Sequence, residues 1–374
     1  MPQIQTQLKS WQKTNLGDFV VFNYGKGLPE GDRIPGPYPV YGSAGEVGTH
    51  DEYVIEGPGI IVGRKGSVGK IYYTDKNYFP IDTVYYITKG EKYNLRFLYY
   101  LLQTIDFKSL NSDAAVPGLN RNTAYAQEVL LPPLPIQKQI ADVLSAYDDL
   151  IENNTKRIKI LEEIAQAIYK EWFVYFRFPG HEKIRMVDSK TEFDKIPEGW
   201  EILQVAALVE RVSPGKLYDN KTASAIGKVP ILDQGKSGII GYHNDNPGVE
   251  ASIENPIIVF ANHTCYQRLI LFPFSAIQNV LPFYPSEEKH RNIFWLHYAT
   301  KDVIEFNDYK GHWPEFMQKE VLVPSVELAE KFGNEIKPLV VLSYRLELEN
   351  QNLRQARDLL LPKLIGGEIE IKQK

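Results

Sequence analysis

The chain has one cysteine, Cys265, in 374 residues. It can form no internal disulfide and no multi-cysteine metal site. No apolar run approaches the ~20 residues that a membrane helix needs. The N-terminal stretch MPQIQTQLKSWQK lacks the apolar core of a signal peptide. Together these absences predict a cytoplasmic protein. An excess of basic charge is missing too: 42 Lys and Arg face 47 Asp and Glu, a net charge of -5. Residues 1–133 hold 13 basic and 13 acidic groups, 134–178 hold 6 and 7, 179–325 hold 15 and 19, and 326–374 hold 8 and 8. Any nucleic-acid binding must come from local clustering, or from a partner that adds positive charge. Apolar residues at 43% and charged residues at 24% exclude wholesale disorder.

Catalytic constellations are also missing. An adenine methyltransferase needs an Asn/Asp-Pro-Pro-aromatic motif, and the one Pro-Pro, Pro132-Pro133, lies between Leu131 and Leu134. The loop Gly63-Arg64-Lys65-Gly66-Ser67-Val68-Gly69-Lys70 is basic and Gly-rich. However, Ile71 follows the lysine where a nucleotide loop needs Ser or Thr. Glu370-Ile371-Lys372 has the look of a nuclease carboxylate-lysine set, but at a terminus that is expected to fray. Cys265 and His263 lack an orienting third group. His50 and His243 lack neighbouring metal ligands, so hydrogen bonding within the fold is the favoured role for both.

What is present is a repeat. Glu128-Val129-Leu130-Leu131-Pro132 matches Glu320-Val321-Leu322-Val323-Pro324 at an offset of 192. Gly45–His50 and Gly238–His243 both read G-x-x-G-x-H, 193 apart. Gly59–Val62 resembles Pro256–Val259 at 197, and Trp11 and Trp200 open the halves at 189. The order is kept and the offset drifts slowly, as loop insertions dictate, so the chain is read as a duplication. Each half begins with about 130 residues of strand-like segments punctuated by Gly, Pro, Asn and Asp. Examples are Tyr53–Val62, Lys70–Tyr73, Thr83–Thr88, Pro256–Ala261 and Leu269–Phe274.

A long helix closes each half. Ile140, Leu144, Tyr147, Ile151, Asn154, Ile158, Leu161, Ala165, Ile168 and Trp172 alternate spacings of four and three, a heptad seam. From Ile136 to Phe173 such a helix measures ~57 Å at ~1.5 Å per residue. Pro135 suits its first position, and the cluster Trp172-Phe173-Val174-Tyr175-Phe176 ends it. Part of that cluster is expected to bury against the heads and part to form a docking surface. The second seam reads Phe332, Ile336, Leu339, Ser343, Leu346, Asn350, Leu353, Arg357, Leu360 and Leu364. Ser325 is its expected N-cap and Gly366-Gly367 its end, while Pro338 predicts a kink or restart.

The predicted fold class is α+β. Two similar mainly-β domains are separated by two long helices that form an antiparallel coiled coil, with a pseudo-twofold internal repeat. The predicted segments are residues 1–133, the first such domain; 134–178, the first spacer helix; 179–324, the second domain; and 325–374, the second helix and C-terminal tail. A ~57 Å rod corresponds to about 17 base pairs at ~3.4 Å per pair. Two related but different heads on a rigid spacer suit an asymmetric, interrupted DNA site.

Here the chain resembles the specificity subunits of type I restriction-modification enzymes over nearly its full length. The resemblance rests on Pro117-Gly118-Leu119-Asn120-Arg121, on Glu128-Val129-Leu130-Leu131-Pro132-Pro133-Leu134-Pro135 before a helix, on the paired G-x-x-G-x-H segments and on the tail Ala356–Glu368. It implies a non-catalytic DNA-binding subunit of a multi-subunit methyltransferase and endonuclease. Each head would read one half of a bipartite double-stranded site. The helices would set the half-site spacing and dock methyltransferase (modification) subunits, which a restriction or motor subunit joins. No cofactor or metal is expected in this chain; S-adenosylmethionine, ATP and Mg belong to the partners. The second half departs from the pattern, reading Tyr309-Lys310-Gly311-His312-Trp313-Pro314. Two other classes remain: a stand-alone DNA-modifying enzyme, and a protein-only coiled-coil adaptor.

The candidate DNA-binding residues follow from loop position and chemistry. In the first head they are Arg64, Lys65, Ser67 and Lys70 of the Gly-rich loop, with Asn120, Arg121 and Asn122. The alternatives there are a solvated hairpin and turn chemistry by Asn. In the second head the counterpart of the Gly-rich loop holds Asn262, His263, Tyr266, Gln267 and Arg268, where Asn and Gln suit adenine and Arg suits guanine. Lys221, Gln234, Lys236, Lys310 and His312 join them by lying in matching loops. Spacer register is assigned to Tyr147, Ile151, Asn154, Ile158, Leu346, Asn350 and Leu353, since a seam Asn fixes register at some cost in stability.

Overall fold

The computed structural model describes residues 11–110, 118–189, 194–235, 238–286, 291–306, 308 and 310–370. The chain divides into two compact units, residues 1–153 with 349–374, and residues 154–348, so each long helix contributes to both. No helix among the described residues is long and apolar enough to cross a membrane.

In the first unit, strand Gln12–Asn15 pairs antiparallel with Glu128–Leu131, so the head's first strand closes on its last. Between them lies a four-stranded antiparallel sheet in the order 23–24, 84–87, 59–63, 71–74. A three-stranded sheet, 45–50, 38–42, 79–80, sits beside it in sequence, its last pair parallel. Helix α1, Leu95–Gln103, starts at Asn94, whose side chain accepts the Phe97 N–H. Its apolar face, Phe97, Leu98, Leu101 and Leu102, shares one core with Phe22, Ile60, Val62, Tyr85 and Ile87 of the sheet. A short helix, α2 (Arg121–Tyr125), precedes the closing strand, and helix α3, Leu134–Tyr169, follows it.

The second unit repeats this plan. Strand Glu201–Gln204 pairs with Glu320–Val323. One sheet runs 209–211, 280–285, 257–261, 267–270, and the other 217–218, 275–277, 229–232, 239–243. Helix α4 is Ile293–Thr300, the short helix α5 is Trp313–Gln318, and helix α6 is Val326–Ile365. The repeat reaches individual hydrogen bonds. Leu16 N–H donates to the Gln127 carbonyl and Val205 N–H to that of Lys319, both at 2.9 Å. The hairpin 186–188/195–197 precedes Trp200.

Two strand boundaries differ from expectation. Tyr53–Val62 is strand only from Gly59, because Pro58 has no donor for a ladder. Leu269–Phe274 stops at Ile270, before Pro273, and Ser275–Ile277 then joins the other sheet.

The heptad reading of the helices holds. All ten positions of each seam are buried or half-buried. In the first unit, Ile140 and Leu144 near the start of α3 share a core with Leu364 and Ile365 at the end of α6. In the second unit, Ala165 and Phe173 at the end of α3 share a core with Phe332 and Ile336 near the start of α6. The two helices therefore run antiparallel. Arg357, a cation within the seam, is explained by the first head. Its guanidinium pairs with Asp148 of α3, which also accepts the Tyr100 hydroxyl of α1.

The ends of the helices bring one agreement and two corrections. Ser325 Oγ accepts the Leu328 N–H, so it is the N-cap expected. The predicted restart at Pro338 does not occur: α6 is one helix through Gly333 and Pro338. Pro338 is exposed, so its ring fits on the solvent side. The end of α3 is a π-turn, Lys170–Val174, which the heptad pattern did not predict. The wider turn re-aims the aromatic cluster. Trp172 then meets Phe332 at 5.8 Å between ring centroids, while Phe173 and Phe176 meet Trp200 at 5.8 and 5.6 Å. Val174 and Tyr175 stay exposed.

Gln267 also corrects its assignment. It was expected to read DNA, yet its side chain faces inward, donating to the His297 carbonyl at 2.8 Å and accepting from Thr300 Oγ1 at 3.2 Å. Strand 267–270 alternates faces, and Gln267 falls on the buried one.

Two predictions follow from these contacts. Gly333→Ala should destabilise the chain by about 1–3 kcal/mol, although Ala is the better helix former. A Cβ there meets Asn292 Cγ at 2.2 Å, and that side chain is held by the Phe294 N–H and by Glu330. Pro338→Ala, at an exposed site, should instead stabilise by up to ~3 kcal/mol. Thermal melting of the two variants reads both signs. The second concerns acid. Desolvation, and then Lys301, pulls the buried His297 imidazole down from 6.5 to about 3. Between those values the unfolded state holds the extra proton, so stability rises with pH through that window. It is lost on acidification by up to about 1.4 kcal/mol per pH unit. Urea midpoints from pH 4 to 7 should show this slope, and His297→Asn should flatten it.

Candidate nucleic-acid interface

The first head's Gly-rich loop is shaped by close backbone approach. Gly63 N–H donates to the Lys70 carbonyl at 2.8 Å and Gly69 N–H to Gly63 at 2.9 Å. A Cβ on Gly63 would stand 2.2 Å from the Ser67 carbonyl oxygen, and Gly66 and Gly69 both have φ +75. Only glycine fits these places without strain. Lys65 forms a β-bridge with Gly118, and Leu119 N–H donates to the Arg64 carbonyl at 2.8 Å. These bonds carry the loop to the start of α2, so Arg64, Lys65, Asn120 and Arg121 come together as one group.

Their side chains differ in freedom. Arg64 donates to the Asp82 carbonyl at 2.7 Å, and its guanidinium lies 5.2 Å from the Tyr24 ring centre. The Arg121 guanidinium lies 5.1 Å from the same ring. Tyr24, on the edge strand, is 51% exposed. Among the described residues no carboxylate lies within ion-pair distance of either arginine. Lys65, Lys70 and Asn122 are exposed, and Ser67 is half-buried. Asn120 caps α2, its side-chain oxygen accepting from Asn122 N–H at 2.8 Å and Thr123 N–H at 3.3 Å. Turn chemistry thus claims Asn120, one of the two alternatives for it.

The second head builds the same junction. Asn262 N–H donates to Asn279 as Arg64 N–H donates to Thr83, and His312 N–H donates to the Asn262 carbonyl as Leu119 N–H does to Arg64. Arg64 and Asn262 are therefore equivalent, as are Leu119 and His312. The equivalence explains the departure from the Gly-Leu-Asn pattern: His312 takes the place of a buried leucine. It is 0% exposed, its Nε2 bonded to the Asp308 carbonyl at 3.0 Å. A group so enclosed cannot meet DNA, which corrects its candidacy.

Three turns knit around Asn262. Its side-chain oxygen accepts the Trp313 N–H at 2.8 Å. Gln234 accepts the His263 N–H at 2.9 Å through Oε1 and the Thr264 hydroxyl through its carbonyl. The His263 ring donates to the Lys310 carbonyl at 2.8 Å. The Lys310 ammonium lies 3.3 Å from Asp308, which offsets its charge. Arg268 donates to the Asp233 carbonyl at 2.7 Å, with Tyr266 5.9 Å away. Gln234, Asn262, His263, Arg268 and Lys310 thus gather, with Tyr266 beside them. Lys221 sits in a separate turn closed by Asp219, and Lys236 lies outside the described residues.

Sequence reasoning missed Tyr24, Arg211 and the role of Trp313. The Arg211 guanidinium lies 5.5 Å from the Trp313 ring centre. No motif marks these residues, because only sheet pairing sets an edge strand beside a short helix far along the chain. His50 and His243 have the roles expected: the Nδ1 of each accepts a backbone N–H, from Ile34 and Asp245, both at 3.1 Å. Among the described residues no group of three His, Cys, Asp or Glu could hold a metal ion.

Residues 9–163 match the family model described as the type I restriction modification DNA specificity domain. The type I restriction enzyme MjaIX specificity subunit of Methanocaldococcus jannaschii is 26% identical over 306 residues, 74% of this chain and 69% of that one. The MjaVIII specificity subunit of the same organism is 26% identical over 224 residues, 56% and 51% of the two chains. The crystal structure of a type I restriction-modification system S subunit from M. genitalium matches with a TM-score of 0.63 at 18% identity, covering 97% of each chain, so the fold is shared. One domain model, two relatives and a common fold agree: residues 9–163 match the type I specificity domain, and the chain is similar over most of its length to specificity subunits of type I restriction-modification systems.

Proposed function

We propose that this chain is the non-catalytic DNA reader of its complex, and that each head recognises one half of an asymmetric, interrupted duplex site. One observation carries the reading. The two heads share two backbone hydrogen bonds that tie the loop to the segment before the short helix, while the side chains there differ. Arg64 faces Asn262 across the repeat, and Asn120-Arg121 faces Trp313-Pro314. A constant scaffold with different donors and acceptors is what two different half-sites require. The antiparallel helices set the gap between the half-sites, with the seam at Tyr147, Ile151, Asn154, Ile158, Leu346, Asn350 and Leu353 holding their register. Asn154 supports this role, because it is fully buried in the otherwise apolar seam of α3. The helices also dock modification subunits, and restriction or motor subunits join those. S-adenosylmethionine, ATP and Mg act on the partners. With a net charge of -5, the chain relies on its partners for much of the attraction to phosphate.

Base-modification mapping of the source genome, with and without this gene, tests the reading. Loss of adenine methylation at one asymmetric, interrupted motif is expected; unchanged methylation with the partners expressed refutes it. Inserting one helical turn near Asn154 and at the facing point of α6 should lengthen the gap and leave both half-sites unaltered. A changed half-site with an unchanged gap refutes the ruler. The isolated chain should bind the mapped duplex far more weakly than the assembled complex does.

A further inference from the structure

Each head sets an arginine against an aromatic ring between its edge strand and its short helix, with the roles exchanged. In the first head the strand supplies the ring, Tyr24, and the helix the cation, Arg121, at 5.1 Å. In the second the strand supplies the cation, Arg211, and the helix the ring, Trp313, at 5.5 Å. The strands correspond, each being the outer strand of its four-stranded sheet. The short helices correspond too, since each follows the residue that donates to Arg64 or to Asn262. Different residues thus produce the same cation–π pair at the same junction.

We infer that Arg121 and Arg211 are the backbone anchors of the two heads, each binding a phosphate of the duplex and carrying no base preference. This rests on the reading above that the heads bind DNA. A guanidinium lying on a ring face is held in place by the ring, yet its N–H edge stays open for a bidentate contact to phosphate. Among the described residues neither arginine has a carboxylate partner, whereas Lys310 and Lys216 are each paired with an aspartate. Arg211 is exposed and Arg121 half-exposed. An anchor must serve whatever sequence its head reads. That is why the pair recurs when the loop side chains around it do not.

The test uses the assembled complex of this chain with its modification subunits and the mapped duplex. Affinity is measured from about 50 to 200 mM salt for wild type, Arg121→Gln, Arg211→Gln and Tyr24→Ala. Each arginine variant should weaken binding by the same factor on the cognate duplex and on duplexes altered in either half-site. Each should also lower the slope of log affinity against log salt by about 1. Tyr24→Ala, which takes the ring from Arg121 and Arg64 but keeps both charges, should weaken binding and leave the slope unchanged. Melting temperatures check folding, which these surface changes should preserve. Wild-type affinity and slope in both arginine variants overturn the assignment, as does a loss confined to one base of a half-site. If the wild-type complex shows no preference for the mapped duplex, the DNA-reading function itself fails, and the anchors with it.

Discussion

An apolar stripe repeating every 3.5 residues cannot be covered by the helix that carries it. This constraint organises the chain. The ten seam positions of α3 and the ten of α6 are all withdrawn from solvent. In each unit the cover has two layers, the facing stretch of the other helix and the helix of the β-rich head. Asp148 marks the first unit's version, joining Arg357 of α6 and Tyr100 of α1 at one carboxylate. The second unit uses rings in the same capacity: Tyr169 of α3 lies 5.9 Å from Tyr298 of α4 and 6.0 Å from Phe332 of α6. Because the heads complete these cores, they cannot turn freely on the helices that bear them.

On that base each head is built to vary at one place. The first strand pairs with the last, and the loop after the central strand is tied by backbone groups to the segment before the short helix. Backbone hydrogen bonds make the same demand whatever side chain they belong to. The junction therefore survives the replacement of Arg64 by Asn262 and of Leu119 by His312. What changes is the chemistry of the loops: cationic in the first head, and in the second a mix of amide, imidazole, the Arg268 guanidinium and a lysine offset by Asp308.

Much of the architecture was legible in the sequence. The duplication showed in four ordered matches, the helices in unbroken heptad spacing, and Ser325 in its N-cap chemistry. These are local or periodic signals, and they survive folding because packing reinforces them. The continuous helix through Pro338 was not legible, since only the placement of that residue on the solvent side makes the proline tolerable. The π-turn at Lys170–Val174 was hidden for the same reason: it answers to Trp200 and Phe332, which lie far away in sequence.

The candidate site divides along the same line. The sequence by itself determined which loops are candidates, because Gly-rich and polar segments at matching points of a repeat can be found by inspection. It also determined the absence of the motifs a methyltransferase or nucleotide-binding loop requires. Only the tertiary structure decided which side chains those loops present. Gln267 and His312 turn inward and Asn120 caps a helix, while Tyr24, Arg121 and Arg211 come to the surface as cation–π partners. The physical reason is that exposure depends on strand parity and on what packs opposite. A loop's composition names its chemistry, but the fold chooses which of those groups face the solvent.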